Sequence, residues 1–111
     1  MKTERITIAS ASRHVGETVS IPGWLYNLRK SGKIAFPQLR DGTGIMQCVA
    51  VKSALPEAVF DTIKDLTQES SVIFTGKIRA DERAHGGYEM DVENVEVLQR
   101  VPESDPYPIT P

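Results

Sequence analysis

Cysteine is nearly absent from this chain. Cys48 stands alone among 111 residues, so no internal disulfide can brace the fold. No apolar run approaches the roughly 20 residues that a membrane-spanning helix needs, and the opening MKTERITIAS lacks the apolar centre of a secretory signal. A cytoplasmic setting, with no membrane partner, is the expectation. Excess positive charge is missing too: 13 Lys and Arg against 15 Asp and Glu leave a formal −2. That excludes a protein that coats nucleic acid through bulk charge, so any such contact must be local. The two histidines, His14 and His85, have no second ligand at metal spacing. No Ser/His/Asp or Cys/His arrangement marks a nucleophile, and Gly86-Gly87 is too short to cradle a phosphate. No catalytic residue, metal or cofactor is therefore expected in this chain.

What is present suits one ordinary domain. Hydrophobic residues make up 40% and charged residues 25% of the sequence, and a chain of this length can bury about two-thirds of its unfolded surface in a single core. Residues 18–26, TVSIPGWLY, alternate as a half-buried strand does, with Val19, Ile21 and Leu25 opposite Ser20, Trp24 and Tyr26. NLRKSG at 27–32 reads as a loop. KIAFPQLR at 33–40 resumes the strand pattern, DGTG makes a turn, and IMQCVAVK at 45–52 returns as a hairpin. The period then changes: Leu55, Val59, Phe60, Ile63 and Leu66 recur at helical spacing, with Pro56 suited to the first turn. SVIFTGKIRA at 71–80 is β-rich, with Gly76 hinting at a bulge, and YEMDVENVEVL at 88–98 closes the series.

Three strands, a helix and two strands is the order of the all-β OB-fold, a five-stranded Greek-key barrel with one α-helix between its third and fourth strands. An SH3-like barrel would lack the helix. The domain is expected over residues 1–100. Residues 101–111, VPESDPYPITP, hold four of the seven prolines and read as a linker.

One residue breaks the polar face of the second strand. Ala35 and Leu39 share one side, while Phe36 lies with Gln38 and Arg40 on the other. A four-residue DGTG turn would set Gln47 opposite Gln38 and diagonal to Phe36, within roughly 7–8 Å. A flat ring and an amide would then share an outward patch, able to stack a base and hydrogen-bond its edge. Arg29, Lys30, Lys33 and Arg40 cluster alongside, with no acid from 27 to 40. Glu89 and Asp91 share a face of the last strand; a carboxylate brought near Phe36 could accept from the Watson–Crick edge of guanine. Cys48 faces the core. The basic residues could equally be solvated loop charges, Arg40 could pair with Asp41 across the turn, and Trp24 and Tyr26 suit packing of the barrel end or N-terminal segment better than stacking.

GWLYNLRKSGKIAFPQLRDGTGIMQCV resembles the anticodon-binding domain of the class IIb aminoacyl-tRNA synthetases, the aspartyl, asparaginyl and lysyl group. YNLRKSGKIAF and SDPYPITP are most similar to asparaginyl members. The resemblance implies a partner, the tRNA anticodon stem-loop. It implies that Phe36 stacks on the middle uridine of the anticodon, that Gln47 hydrogen-bonds it and that Arg29 meets the loop backbone. A fifth-strand acid, Glu89 ahead of Asp91, is implied for the first base. It also implies a catalytic domain beyond the linker, in a parent enzyme that is a homodimer and uses ATP and magnesium; this chain by itself would be a monomer without ligase activity. An aspartyl enzyme, including non-discriminating types, shares the same middle uridine. A general single-strand binder or an engineered protein-binding scaffold would keep the barrel without depending on Phe36.

Overall fold

The computed structural model describes residues 4–99; the expected linker at 101–111 lies outside them. Strands β1 (Glu4–Arg5), β2 (Thr18–Ser31), β3 (Ile34–Arg40), β4 (Ile45–Val51), β5 (Ser71–Ala80) and β6 (Tyr88–Gln99) form one sheet, with a single α-helix, α1 (Glu57–Lys64), between β4 and β5. The sheet order is β1-β2-β3-β4-β6-β5, and β5 pairs with β2, so five strands close into a ring. All neighbours in the ring are antiparallel except β4 and β6, which run parallel. This is the OB-fold barrel, with its helix where the sequence put it.

The alternation in β3 and β4 is complete: Ala35, Pro37 and Leu39, then Met46, Cys48 and Ala50, are buried, and every residue between them is half-buried. They meet Val19, Ile21, Leu25, Val72, Phe74, Ile78 and Met90 in one core. Phe60 and Ile63, three apart on α1, turn the apolar face of the helix into that core. Burial of side chains of this size stabilises the fold by about 1.5–3 kcal/mol each.

Three expectations are corrected. All of NLRKSG but its glycine is strand rather than loop: β2 runs to Ser31 through a register shift between Leu25 and Asn27 and pairs with β3 down to Ser31 opposite Ile34. Its polar composition imitates a loop because Asn27, Arg29, Lys30 and Ser31 are all exposed, and Leu28 alone packs against the core. The helix is shorter than the apolar repeat, since Leu55 is extended and Leu66 lies beyond the C-cap at Asp65. A sixth strand exists, because β1 adds in parallel to β2 with Glu4 opposite Val19; two residues are too few to show a period. A 3₁₀ segment, Ile8–Arg13, follows it. It is docked by the β3–β4 turn, where Asp41 accepts from the backbone N–H of Ile8 at 2.8 Å and Thr43 from that of Ala9 at 3.0 Å.

Two glycines allow the ring to close. A Cβ on Gly76 would overlap the backbone carbonyl of Asp91, and the β5–β6 register shifts between Thr75 and Gly76, the bulge expected there. A Cβ on Gly23 would lie 2.5 Å from the carbonyl oxygen of Arg40. At this point β2 passes from one partner to the other: Trp24 pairs with both Ser71 of β5 and Arg40 of β3.

Candidate nucleic-acid interface

The β3–β4 register places Gln38 directly opposite Gln47, as the four-residue turn requires. On the other flank of β3, Arg29 of β2 stands opposite Phe36, its guanidinium carbon 4.8 Å from the ring centre. That is a cation–π contact, worth about 0.5–1 kcal/mol at an exposed site. The parallel pairing of β4 with β6 sets Glu89 beside Gln47, whose Nε2 donates to Glu89 Oε2 at 2.9 Å. Glu89 is only 7% exposed.

Arg79 of β5 answers that buried charge. Its Nη2 donates to Glu89 Oε1 at 2.8 Å, its Nε to Asp91 Oδ2 at 3.1 Å, and its Nη1 reaches Asp81 Oδ2 at 3.4 Å. The hydrogen bonds that Arg79 donates, first to Asp91 and then to Glu89, hold its guanidinium above its ordinary range despite the cost of burial. Asp81 opens the loop between β5 and β6. It accepts from the backbone N–H of Arg83 at 3.0 Å, and this bond, with the charges of Arg83 and Arg79, keeps its carboxyl below the usual carboxylate range.

Gln47, Glu89 and Arg83 line a cleft of about 340 Å³ together with Tyr26, Gln38, Ile45 and Ala84. The Gln47–Glu89 pair and the positive charge of Arg83 thus share one cleft. A second cleft, of about 300 Å³, lies between the 3₁₀ segment and the β3–β4 turn, with Ile8, Thr43, Met46 and Tyr88 among its lining.

Other expected site residues are dispersed. Lys30 turns to the helix, its Nζ donating to the carbonyl of Lys64 at 3.4 Å, where a cation complements the helix C-terminus. Lys33 is exposed at the hairpin tip. Asp91 is bound to Arg79 and stands two pairs further along, opposite Val49. Arg40 does not close the turn with Asp41: it pairs with Glu69 at 2.7 Å, while Asp41 accepts from Thr43. Trp24 and Tyr26 are exposed rather than packed against the N-terminal segment, with Arg40 5.8 and 5.9 Å from their rings. His14 gains neighbours that linear spacing hid. Ligand atoms of Glu4, His14 and Glu17 lie within 4.8 Å of one another, the glutamates exposed and the histidine half-buried, with its Nδ1 2.9 Å from Glu17 Oε1.

The family model described as an OB-fold nucleic acid binding domain, tRNA anti-codon, matches residues 19–98. The chain belongs to this family. The anticodon-type OB domain is 60% identical over 105 residues to an asparagine–tRNA ligase of Koribacter versatilis, covering 95% of this chain and 24% of that protein. It is 50% identical over 105 residues to one of Chloroflexus aurantiacus, covering 95% of this chain and 23% of the other. Among solved structures, asparaginyl-tRNA synthetase from Pyrococcus horikoshii complexed with asparaginyl-adenylate superposes with a TM-score of 0.81 at 38% identity, over 97% of this chain and 26% of that one. The OB domain thus spans about a quarter of the length of the ligases it matches. Among its described residues no helix is long and apolar enough to cross a membrane.

Sequence reasoning missed Arg79 and Arg83 of this OB domain. Arg79 alternates outward in SVIFTGKIRA like any surface cation. Only the β5–β6 register, with Arg79 opposite Glu89, shows that it faces three carboxylates.

Proposed function

We propose that this chain is the anticodon-recognition module of an asparagine–tRNA ligase, with the middle uridine of the anticodon stacked on Phe36 and its edge hydrogen-bonded by Gln47. The observation that supports the reading is the β3–β4 register, which pairs Gln47 with Gln38, two residues along β3 from Phe36 and on the same half-buried face. Arg29 holds a stacking position over the ring. On binding it gives way to the base and turns to the phosphate backbone, with Lys33 beside it. Glu89, Asp91 and Arg83 then border the path of the neighbouring base.

Supporting the asparagine assignment are the names of relatives at 60% and 50% identity. On this reading the chemistry belongs to the other three-quarters of a parent enzyme, a cytoplasmic homodimer that binds ATP and magnesium there. This domain has no ligand but tRNA, is a monomer alone, and forms no aminoacyl adenylate.

The test is titration of the chain with anticodon stem-loops bearing GUU, GUC and a changed middle base. Changing the middle base is expected to weaken binding by about 1–3 kcal/mol, and Phe36→Ala to remove most of that difference. Equal binding to all three loops by the wild-type chain would sink the assignment.

A further inference from the structure

An amide alone discriminates poorly between uracil and cytosine. It carries a donor and an acceptor side by side, and a half-turn about its last torsion exchanges them. Uracil offers an N–H at N3 flanked by carbonyl oxygens, whereas cytosine offers an acceptor at N3 beside an amine. A glutamine free to turn can match either edge.

Gln47 is not free to turn. Its Nε2 donates to Glu89 Oε2 at 2.9 Å, and a carboxylate only accepts. Turning the amide would set Gln47 Oε1 against a carboxylate oxygen in a part-buried contact and lose a charge-assisted hydrogen bond. Glu89 cannot swing aside to allow it, since it is 7% exposed and its other oxygen receives Arg79 Nη2 at 2.8 Å. Arg79 is fixed in turn by the fork it makes to Asp91, with Nε at 3.1 Å and Nη2 at 3.2 Å. The amide is therefore held at the end of a chain of side chains that runs through three strands, β5, β6 and β4.

We infer that Glu89 and Arg79 are positioning residues that make Gln47 select uridine over cytidine at the base stacked on Phe36. With Nε2 committed to Glu89, the carbonyl of Gln47 is the group left to accept from uracil N3–H, and the remaining amide N–H donates to a flanking uracil oxygen. Cytosine, held by the same ring, would set its N3 lone pair against that carbonyl. The inference rests on the reading of Phe36 and Gln47 given above. It adds that selectivity for one pyrimidine resides in two residues that need not touch the base.

The experiment compares the wild-type chain with Glu89→Gln and Arg79→Lys, using stem-loops GUU and GCU. An amide at 89 can accept or donate, so Gln47 can turn with either partner; the change is nearly isosteric. Wild type is expected to prefer GUU by about ten- to a hundredfold. Glu89→Gln should bring the two loops within about threefold; any effect on the guanine that both loops share cancels in that ratio. Arg79→Lys keeps one charge without the fork and should give an intermediate ratio. The free chain supplies an independent reading: the Gln47 side-chain N–H signals should be protected from solvent exchange in wild type and lose that protection in Glu89→Gln. A wild type that binds both loops alike overturns the anticodon reading, and this inference with it. A wild type that prefers GUU while Glu89→Gln keeps both the ratio and the protected amide overturns the positioning role alone.

Discussion

Arg29 and Phe36 meet before any ligand arrives. With the guanidinium 4.8 Å from the ring centre, a base that stacks on Phe36 must displace a cation–π contact, so the affinity gained is the difference between two stacks. On the proposed reading the released guanidinium pairs with phosphate, which would recover part of that loss. Removing the side chain therefore has two effects of opposite sign on affinity and one on salt dependence. Arg29→Ala is expected to lower the slope of log K against log salt by about 0.7 for a single-stranded loop, while the middle-base preference set by Phe36 and Gln47 persists. Titrations at several salt concentrations check both; an unchanged slope would place Arg29 away from the phosphates. Phe36 and Gln47 were legible because a short turn fixes which residues face each other across a hairpin. The partner of Gln47 was not: β4 and β6 are parallel and distant in sequence, so no turn sets their offset and Glu89 could be placed only on a face.

At the scale of elements, alternation told the truth wherever a strand has one wet face, as β3 and β4 do along their whole length. It failed where neighbours override local composition. The end of β2 is polar, glycine follows it, and yet it is strand because β3 supplies a partner for its backbone. Helix limits slipped for a related reason: Leu55 and Leu66 pack as core residues without being helical, so the apolar period overstates the helix. The bulge at Gly76 was legible, though its cause was not. The backbone of β6 comes so close there that any Cβ meets the carbonyl of Asp91. Gly76→Ala must part the two strands at the register shift next to the Arg79–Asp91 contact. We expect it to destabilise the domain by about 1–3 kcal/mol, measured by urea denaturation. A loss within a few tenths would show that the bulge accommodates a methyl group.

The whole molecule carries one thiol, and its position makes stability fall in alkali. Cys48 is fully buried. Burial first, and the Glu89 carboxylate second, push the thiol far above its ordinary range, so the folded chain keeps a proton that the unfolded chain releases near pH 8.5. Stability from this group is whole below that pH and declines as pH rises above it, by up to about 1.4 kcal/mol per pH unit. Denaturant midpoints at pH 7.5 and 10 should therefore fall more steeply for the wild type than for Cys48→Ala, whose core lacks a titrating group; equal slopes would refute the claim. The thiol should also resist alkylation at pH 8 until the chain is unfolded.

Ring closure has a further consequence. The lone tryptophan of the chain is the residue at which β2 changes partners, standing in register with Arg40 of β3 and Ser71 of β5, and is 42% exposed beneath Arg40. Separation of β5 from β2, or of β2 from β3, must alter the surroundings of that single indole. Its fluorescence is thus an intrinsic optical gauge of whether the barrel is shut, and comparing it with backbone circular dichroism during unfolding asks whether the seam parts before the strands dissolve.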